Sequence, residues 1–258
     1  MKDDERLICN RLLDMADNCY YRNIPVTTDF LDLNSQTLFQ KIIKELPEVG
    51  FKITGGYDMA ERKVIIFYPS YLDEDTVQKS CCDSDFYSVV RITPLNRQFA
   101  ENLNHRDFLG AILNLGISRS KIGDILVCKE CTYFFCAKSI ADYMVDNLTK
   151  IKHTYVRCEL IPPMEFNYEP EFSEIKGSIA SLRLDSVIAL GFNSSRNHLI
   201  TYIEEGKIAV NGRIITSNAY SIKPDDVISV RGLGKIKFIR ELSSTKKGRL
   251  MVLIHKYI

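Results

Sequence analysis

Arg183-Leu184-Asp185, Ser194-Ser195-Arg196, Val210-Asn211-Gly212, Lys223-Pro224-Asp225-Asp226 and Val230-Arg231-Gly232 follow one another in the last third of this 258-residue chain. Each marks a boundary. Arg183-Leu184-Asp185 opens one helix, and Ser194 or Ser195 caps the next, whose first-turn Arg196 sits beside backbone N–H groups that have no partner within the helix. Leu199, Ile200 and Ile203 give the second helix a buried face, and Glu205-Gly206 ends it with glycine in the usual C-terminal position. Ile208 and Val210 alternate with Ala209, Asn211-Gly212 is a two-residue hairpin signal, and Arg213-Ile214-Ile215 returns as the partner strand. Pro224-Asp225-Asp226 turns into a further strand, Val227-Ile228-Ser229-Val230. Two helices on a small curled sheet are expected.

Those five elements, in that order and spacing, resemble the S-four domain, an RNA-binding module. The resemblance implies that Arg183, Arg196, Lys207, Asn211, Arg213 and Arg231 contact phosphate or sugar, with Ser195 adding its hydroxyl and backbone N–H. Such contacts position a protein without reading base sequence, so recognition would rest on RNA shape. Charge distribution agrees. Residues 178–258 hold 13 Lys+Arg against 6 Asp+Glu, a net of +7, whereas the remainder holds 21 against 27, a net of −6. A basic module on an acidic body suits phosphate binding at one end. The acidic body is free to face protein.

The length suits two or three small domains, and 45% hydrophobic residues suffice for real cores. No apolar run approaches a membrane span, and Met1-Lys2-Asp3-Asp4-Glu5 is too acidic for a signal peptide, so a cytoplasmic protein without membrane contact is expected. The eight cysteines are scattered. Cys128-Lys129-Glu130-Cys131 has the spacing of a zinc knuckle or redox couple, but Cys81-Cys82 is adjacent rather than spaced, so no second pair completes a four-ligand site. Cys128 and Cys131 are read as flanking a hairpin turn, with no metal and no cofactor.

Residues 77–165 form a middle domain. Phe86–Ile92 reads as a strand, and Arg106–Leu115 as a helix stopped by Gly116. Asp124–Val127 and Thr132–Ala137 form a hairpin, Ser139 caps a helix running to about Lys150, and Thr154–Ile161 closes with a strand. The order βαββαβ is the ferredoxin-like arrangement, shared by the RNA recognition motif. Tyr133-Phe134-Phe135 on the third strand are the nearest candidates for base stacking, but no glycine precedes them. Consecutive aromatics point to opposite faces, and packing against the helices is the expectation. Residues 1–76 form an N-terminal α+β unit: helices around Asp4–Tyr20 and Ser35–Leu46, a strand at Phe51–Thr54 broken by Gly55-Gly56, and a strand at Lys63–Tyr68. Residues 166–179 are read as a linker and 180–258 as the S-four domain, which makes the whole chain α+β.

Gly55-Gly56-Tyr57, Ala60-Glu61-Arg62, His105-Arg106-Asp107-Phe108-Leu109-Gly110 and the stretch 117–127 around Arg119, Lys121 and Asp124 resemble the YlmH family of bacterial S-four proteins. The resemblance runs through nearly the whole chain. It implies binding to ribosomal RNA and tRNA on the large ribosomal subunit, in rescue and quality control of stalled translation; a non-catalytic, monomeric protein is expected.

His105-Arg106-Asp107 invites comparison with a kinase catalytic loop, but the next asparagine is Asn114, and neither a glycine-rich nucleotide loop nor Asp-Phe-Gly is present. Two readings stand side by side. In one, Asp107 caps or charges the first helical turn and Arg106 pairs with a neighbour such as Asp124. In the other, Arg106, Arg119 and Lys121 form a second phosphate-contacting patch. An RNA-modifying enzyme is the rival function, because pseudouridine synthases and RNA methyltransferases also carry S-four modules. Ser181-Leu182-Arg183-Leu184-Asp185 resembles the synthase motif superficially but lacks its glycine, and Asp185 is read as a structural cap. No glycine-rich turn of a methyltransferase is seen. A protein-interaction adaptor using the acidic body is the third reading.

Overall fold

The computed structural model describes residues 3–72, 85–162, 165, 166, 168, 170–244 and 248–257. They form two compact units, Met1–Asn167 and Tyr168–Ile258.

The first unit begins with α1 (Asp3–Arg22), whose acidic first turn and terminal Arg22 complement the helix dipole. Cys9, Leu12, Ala16 and Cys19 recur at helical spacing and form its buried stripe. β1 (Val26–Thr27) leads to α2 (Leu33–Ile42), which starts two residues before the expected position. Asp32 causes this by accepting a 2.8 Å hydrogen bond from Ser35 N as N-cap, and a 3-10 turn (Ile43–Glu45) ends the element. β2 (Val49–Thr54) and β3 (Val64–Pro69) complete an antiparallel sheet of order β1-β3-β2. β3 is buried along its whole length. Its Ile65 and Phe67 pack under α1 and α2, while Val64 and Ile66 face the other way, against the next sheet.

That sheet is built from β4 (Tyr87–Pro94), β5 (Ile122–Val127), β6 (Thr132–Ala137), β7 (Lys150–Ile151) and β8 (Thr154–Ile161). Its order is β5-β6-β4-β8-β7 and every pairing is antiparallel. With α3 (His105–Asn114) and α4 (Ala141–Asn147) this is the ferredoxin-like order of strands, extended by the short β7. The helices cover one face through Phe108, Ile112, Ala141 and Met144 over Val90, Ile92 and Phe134. Ser139 does not cap α4: it lies inside a 3-10 turn (Lys138–Ile140), and the N-cap position, Ile140, makes no side-chain cap.

The second unit carries β9 (Phe172–Ile179), α5 (Leu184–Gly191), α6 (Arg196–Glu204), β10 (Ile208–Val210), β11 (Arg213–Ile214), β12 (Val227–Val230), β13 (Gly234–Ser244) and β14 (Leu250–Tyr257). They form one antiparallel sheet of order β11-β10-β12-β13-β14-β9, with α5 and α6 on a core of Leu184, Val187, Ile188, Leu199, Ile203, Ile208, Ile228, Phe238 and Val252. Residues 172–179 are therefore a strand and not linker. Their polar pattern reads as linker because β9 is an edge strand, where charged side chains are tolerated on the open rim.

Candidate nucleic-acid interface

The loops and helix starts of the second unit bring the basic residues forward. Arg183 precedes α5 in an extended conformation, and its Nε donates to Asp185 Oδ1 at 3.2 Å. Asp185 is only 5% exposed and caps nothing; it is a buried anchor for Arg183. Leu184 N to Tyr220 O (2.8 Å) and Ile222 N to Leu182 O (2.8 Å) fasten the start of α5 to the segment before β12. Ser195 caps α6, its hydroxyl accepting from His198 N at 3.3 Å, and Arg196 stands exposed in the first turn.

Lys207 follows α6, paired with Glu205 and lying 5.2 Å from the Tyr202 ring centroid. Arg231 N donates to Lys207 O at 2.9 Å, which brings those two residues together at one end of β10 and β12. Arg213 lies at the other end of β10, opposite Val210. Arg196, Arg213 and Arg231 are exposed and engage no side-chain hydrogen bond or ion pair among the described residues. The exposed Lys207–Glu205 pair is weak enough to exchange for phosphate.

Asn211 has a different occupation. Its φ of 48° and the 77° of Gly212 form the tight hairpin turn that couples β10 to β11. Its Nδ2 donates to Asp226 Oδ1 at 2.8 Å and its Oδ1 accepts from Val227 N at 2.9 Å, so both ends of the amide serve the protein. Asp226 in turn accepts from Lys223 N at 2.8 Å, which fixes the Pro224-Asp225 turn. Asn211 aims Arg213 rather than presenting its own amide.

The middle sheet shows why β6 is so aromatic. Phe134 points to the helices, whereas Phe135 points to the opposite face and is fully buried there, stacked on Tyr57 at 5.5 Å and 20°. Phe166 closes over Tyr133 and Phe135 edge-on at 5.2 Å. Gly56, at φ 90°, lets its backbone lie against the Phe135 ring, where a Cβ would come within 2.2 Å. The face on which an RNA recognition motif stacks bases is thus filled by the protein's own β3 and Gly55-Gly56-Tyr57 loop.

Asp124 on β5 locks that joint. Its carboxylate accepts from Tyr57 Oη (2.7 Å), Glu61 N (2.7 Å) and Arg62 N (3.0 Å). Arg62 reaches back to Ile122 O (2.8 Å) and Phe30 O (2.6 Å). Asp124 is therefore not the partner of Arg106, and sequence reasoning missed this lock because its members lie more than sixty residues apart in the chain.

Nor do Arg106, Arg119 and Lys121 gather as one open patch. Arg119 Nη1 donates to Ile122 O (2.5 Å) and Gly123 O (3.2 Å), and burial, then the neighbouring Arg62 charge, lowers its pKa to about 10. Lys121 Nζ holds Asp29 Oδ1 at 2.6 Å. Arg106 alone is exposed, on the first turn of α3. That turn is closed by a capping box, in which Asn104 Oδ1 accepts from Arg106 and Asp107 N and Asp107 Oδ2 accepts from Asn104 N at 3.0 Å.

Cys128 N to Cys131 O (2.9 Å) closes the β5–β6 hairpin, as the spacing suggested. Burial pushes Cys136 and Cys158 up to about 12. Cys81-Cys82 lie outside the described residues. Among the described residues, no group of three or more His, Cys, Asp or Glu is placed to hold a metal ion, and no helix is long and apolar enough to cross a membrane.

Three family models match the chain in succession: "YlmH, N-terminal" over residues 4–72, "Putative RNA-binding domain in YlmH" over 83–165 and "S4 domain" over 182–228. Ribosome-associated protein quality control protein P2 of Bacillus subtilis is 28% identical over 255 residues, which cover 97% of this chain and 95% of that one. Small ribosomal subunit protein uS4 of Chromohalobacter salexigens is 38% identical over 77 residues, 27% of this chain and 37% of that one. A solved structure of cell division protein ylmH from Streptococcus pneumoniae superposes with a TM-score of 0.49 at 22% identity, over 64% of this chain and 95% of that one.

Proposed function

Because the chain belongs to the YlmH family, whose N-terminal unit and RNA-binding domain precede an S4 domain, we propose that it binds structured RNA on the ribosome through its C-terminal unit. It acts there without catalysis, in rescue or quality control of stalled translation. The finer reading places it on the large subunit, in contact with ribosomal RNA and tRNA, as a cytoplasmic monomer. One observation carries the proposal: Arg196, Arg213 and Arg231 are exposed and uncommitted on a small rigid module whose turns are fixed by Asn211 and Asp226. Rigid presentation of cations suits a target recognised by shape, since little side-chain ordering is left for the moment of binding. The buried position of Asp185 argues against the synthase reading, in which that carboxylate would have to meet a base. The name of the Bacillus subtilis relative supports the ribosomal setting.

Co-sedimentation with isolated ribosomal subunits across a salt series tests this. Wild type should pellet with large subunits at low salt and release as salt rises. The Arg196→Ala, Arg213→Ala, Arg231→Ala variant should lose binding, its slope of log affinity against log salt falling by about 0.7 to 0.9 per lost phosphate contact. Unaltered co-sedimentation of the variant would overturn the assignment of the site, and pelleting with small subunits alone would overturn the large-subunit reading.

A further inference from the structure

Among the described residues of the first unit, the outer face of the middle sheet is only half covered. Cross-strand partners divide it into rows. Ile161, Val89 and Phe135 form one row, against which the N-terminal sheet and Tyr57 pack. Glu159, Arg91 and Tyr133 form the next, where Arg91 Nη2 meets Glu159 Oε2 at 2.6 Å and the covering ends. Arg157 with Thr93 comes third, followed by Lys150, Tyr155 and Leu95, whose N donates to Tyr155 O at 3.0 Å.

These last rows are open: Tyr155 is 60% exposed, Leu95 64% and the Arg157 side chain 69%. Lys150 Nζ lies 5.0 Å from the centre of the Tyr155 ring. Glu159, the carboxylate that faces them on this sheet, is already held by Arg91, and its distance to Arg157 is 3.9 Å. Glu101 at the rim accepts from His153 N. An aromatic ring and an aliphatic side chain are thus left in water, flanked by Lys150 and by Arg157, whose exposed 3.9 Å pair with Glu159 is weak enough to exchange for phosphate.

Single-stranded nucleic acid answers this combination, because bases stack on exposed rings whatever their sequence while Lys and Arg follow the phosphates. We propose that the open half of the middle sheet is a second RNA contact, taking a single strand with a base on Tyr155 and Leu95 and phosphates on Lys150 and Arg157. It differs from a conventional recognition-motif platform in its place. The central strands are plugged by the protein's own Tyr57 and Phe166, so the contact moves outward to β8 and β7. This goes beyond the C-terminal site and does not depend on it.

The test uses the full chain and a fluorescent oligouridine of about ten nucleotides, within the usual site size of such a platform. Tyr155→Ala and Arg157→Glu should each weaken binding about tenfold, within the range that one lost base–aromatic stack accounts for. Tyr155→Phe, which keeps the ring, should bind as wild type. Ultraviolet crosslinks from 4-thiouridine should fall in the peptide containing residues 154–160. Both positions allow solvent-facing substitution, and unchanged melting curves would establish that the variants fold. Undetectable binding by wild type, unchanged affinity in both weakened variants, or crosslinks confined to residues 183–231 would each overturn the proposal. The C-terminal triple variant, titrated with the same probe, reports separately on the other assignment.

Discussion

Asn211 and Arg213 are two residues apart and do different work. Asn211 holds a left-handed backbone and two side-chain hydrogen bonds, whereas Arg213 leaves its guanidinium in water. Asn211→Ala should therefore cost about 1–2 kcal/mol, lowering the melting temperature of the C-terminal unit, because a turn staple and a tolerated positive φ are lost together. Arg213→Ala should leave the melting temperature alone and weaken RNA binding. Asp29 supplies a pH test. Burial alone would raise its pKa, but hydrogen bonds from Lys121 and Ser120 and the charges of Lys121 and Arg11 outweigh it and hold the carboxyl below its ordinary value. A folded-state pKa below the unfolded one means that this stabilisation is present above the unfolded value, about 3.9, and is lost as pH falls through the folded one. Thermal midpoints measured from pH 6 down to pH 3, values that bracket the unfolded carboxyl, should fall less steeply in Asp29→Asn than in wild type. Ser195 as a cap and the tight Asn211-Gly212 turn were legible in the sequence, since both depend on neighbours a few residues away. The commitment of Lys121 was not, because Asp29 lies 92 residues from it.

Among the elements, β3 and β6 carry the organisation of the first unit. Each is buried on both faces: β3 between α1 with α2 and the middle sheet, β6 between the α3–α4 layer and the N-terminal sheet. Their sequences, Val64-Ile65-Ile66-Phe67 and Tyr133-Phe134-Phe135-Cys136, are continuous apolar runs without alternation, which is the signature of strands covered twice. That signal in β3 shows that the 1–76 unit has a second partner, and it points to the closure of the β6 aromatics. Asp124 fastens the same joint with three hydrogen bonds to the 57–62 loop. Asp124→Ala should destabilise the first unit by about 2–3 kcal/mol, given charge-assisted bonds to partly buried donors. Hydrogen exchange at the Glu61 and Arg62 amides should accelerate with it. Amides as slow as in wild type would show that the loop is held by the aromatic packing of Tyr57 alone.

For the whole molecule, the described residues gather in two compact units, Met1–Asn167 and Tyr168–Ile258, the first of which holds both the N-terminal and the middle part. The N-terminal and middle parts share a buried aromatic cluster, and β9 joins the C-terminal sheet across eight residue pairs with β14. A fragment beginning at residue 180 would lack β9 and the Ile179 side chain from its core, and should unfold at least about 2 kcal/mol more easily than one beginning at residue 168. Equal denaturation midpoints would sink that boundary. The sequence by itself determined the main helices, the Cys128–Cys131 and Asn211-Gly212 hairpin turns, the βαββαβ order of the middle part and the basic character of the C-terminal unit, because turn residues, apolar periods and formal charge are properties of short stretches of chain. It also carried the family resemblance and, with it, the RNA-binding reading. Only the tertiary structure decided which basic side chains stay free. Arg196, Arg213 and Arg231 remain in water, while Lys121 turns to the Asp29 carboxylate of a distant segment and Arg119 to the carbonyls of Ile122 and Gly123. The same holds for the middle sheet, whose aromatic face was closed by β3 and Tyr57 and whose open margin was left at Tyr155. A side chain's availability depends on what packs above it, and that is set by segments that meet only when the chain has folded.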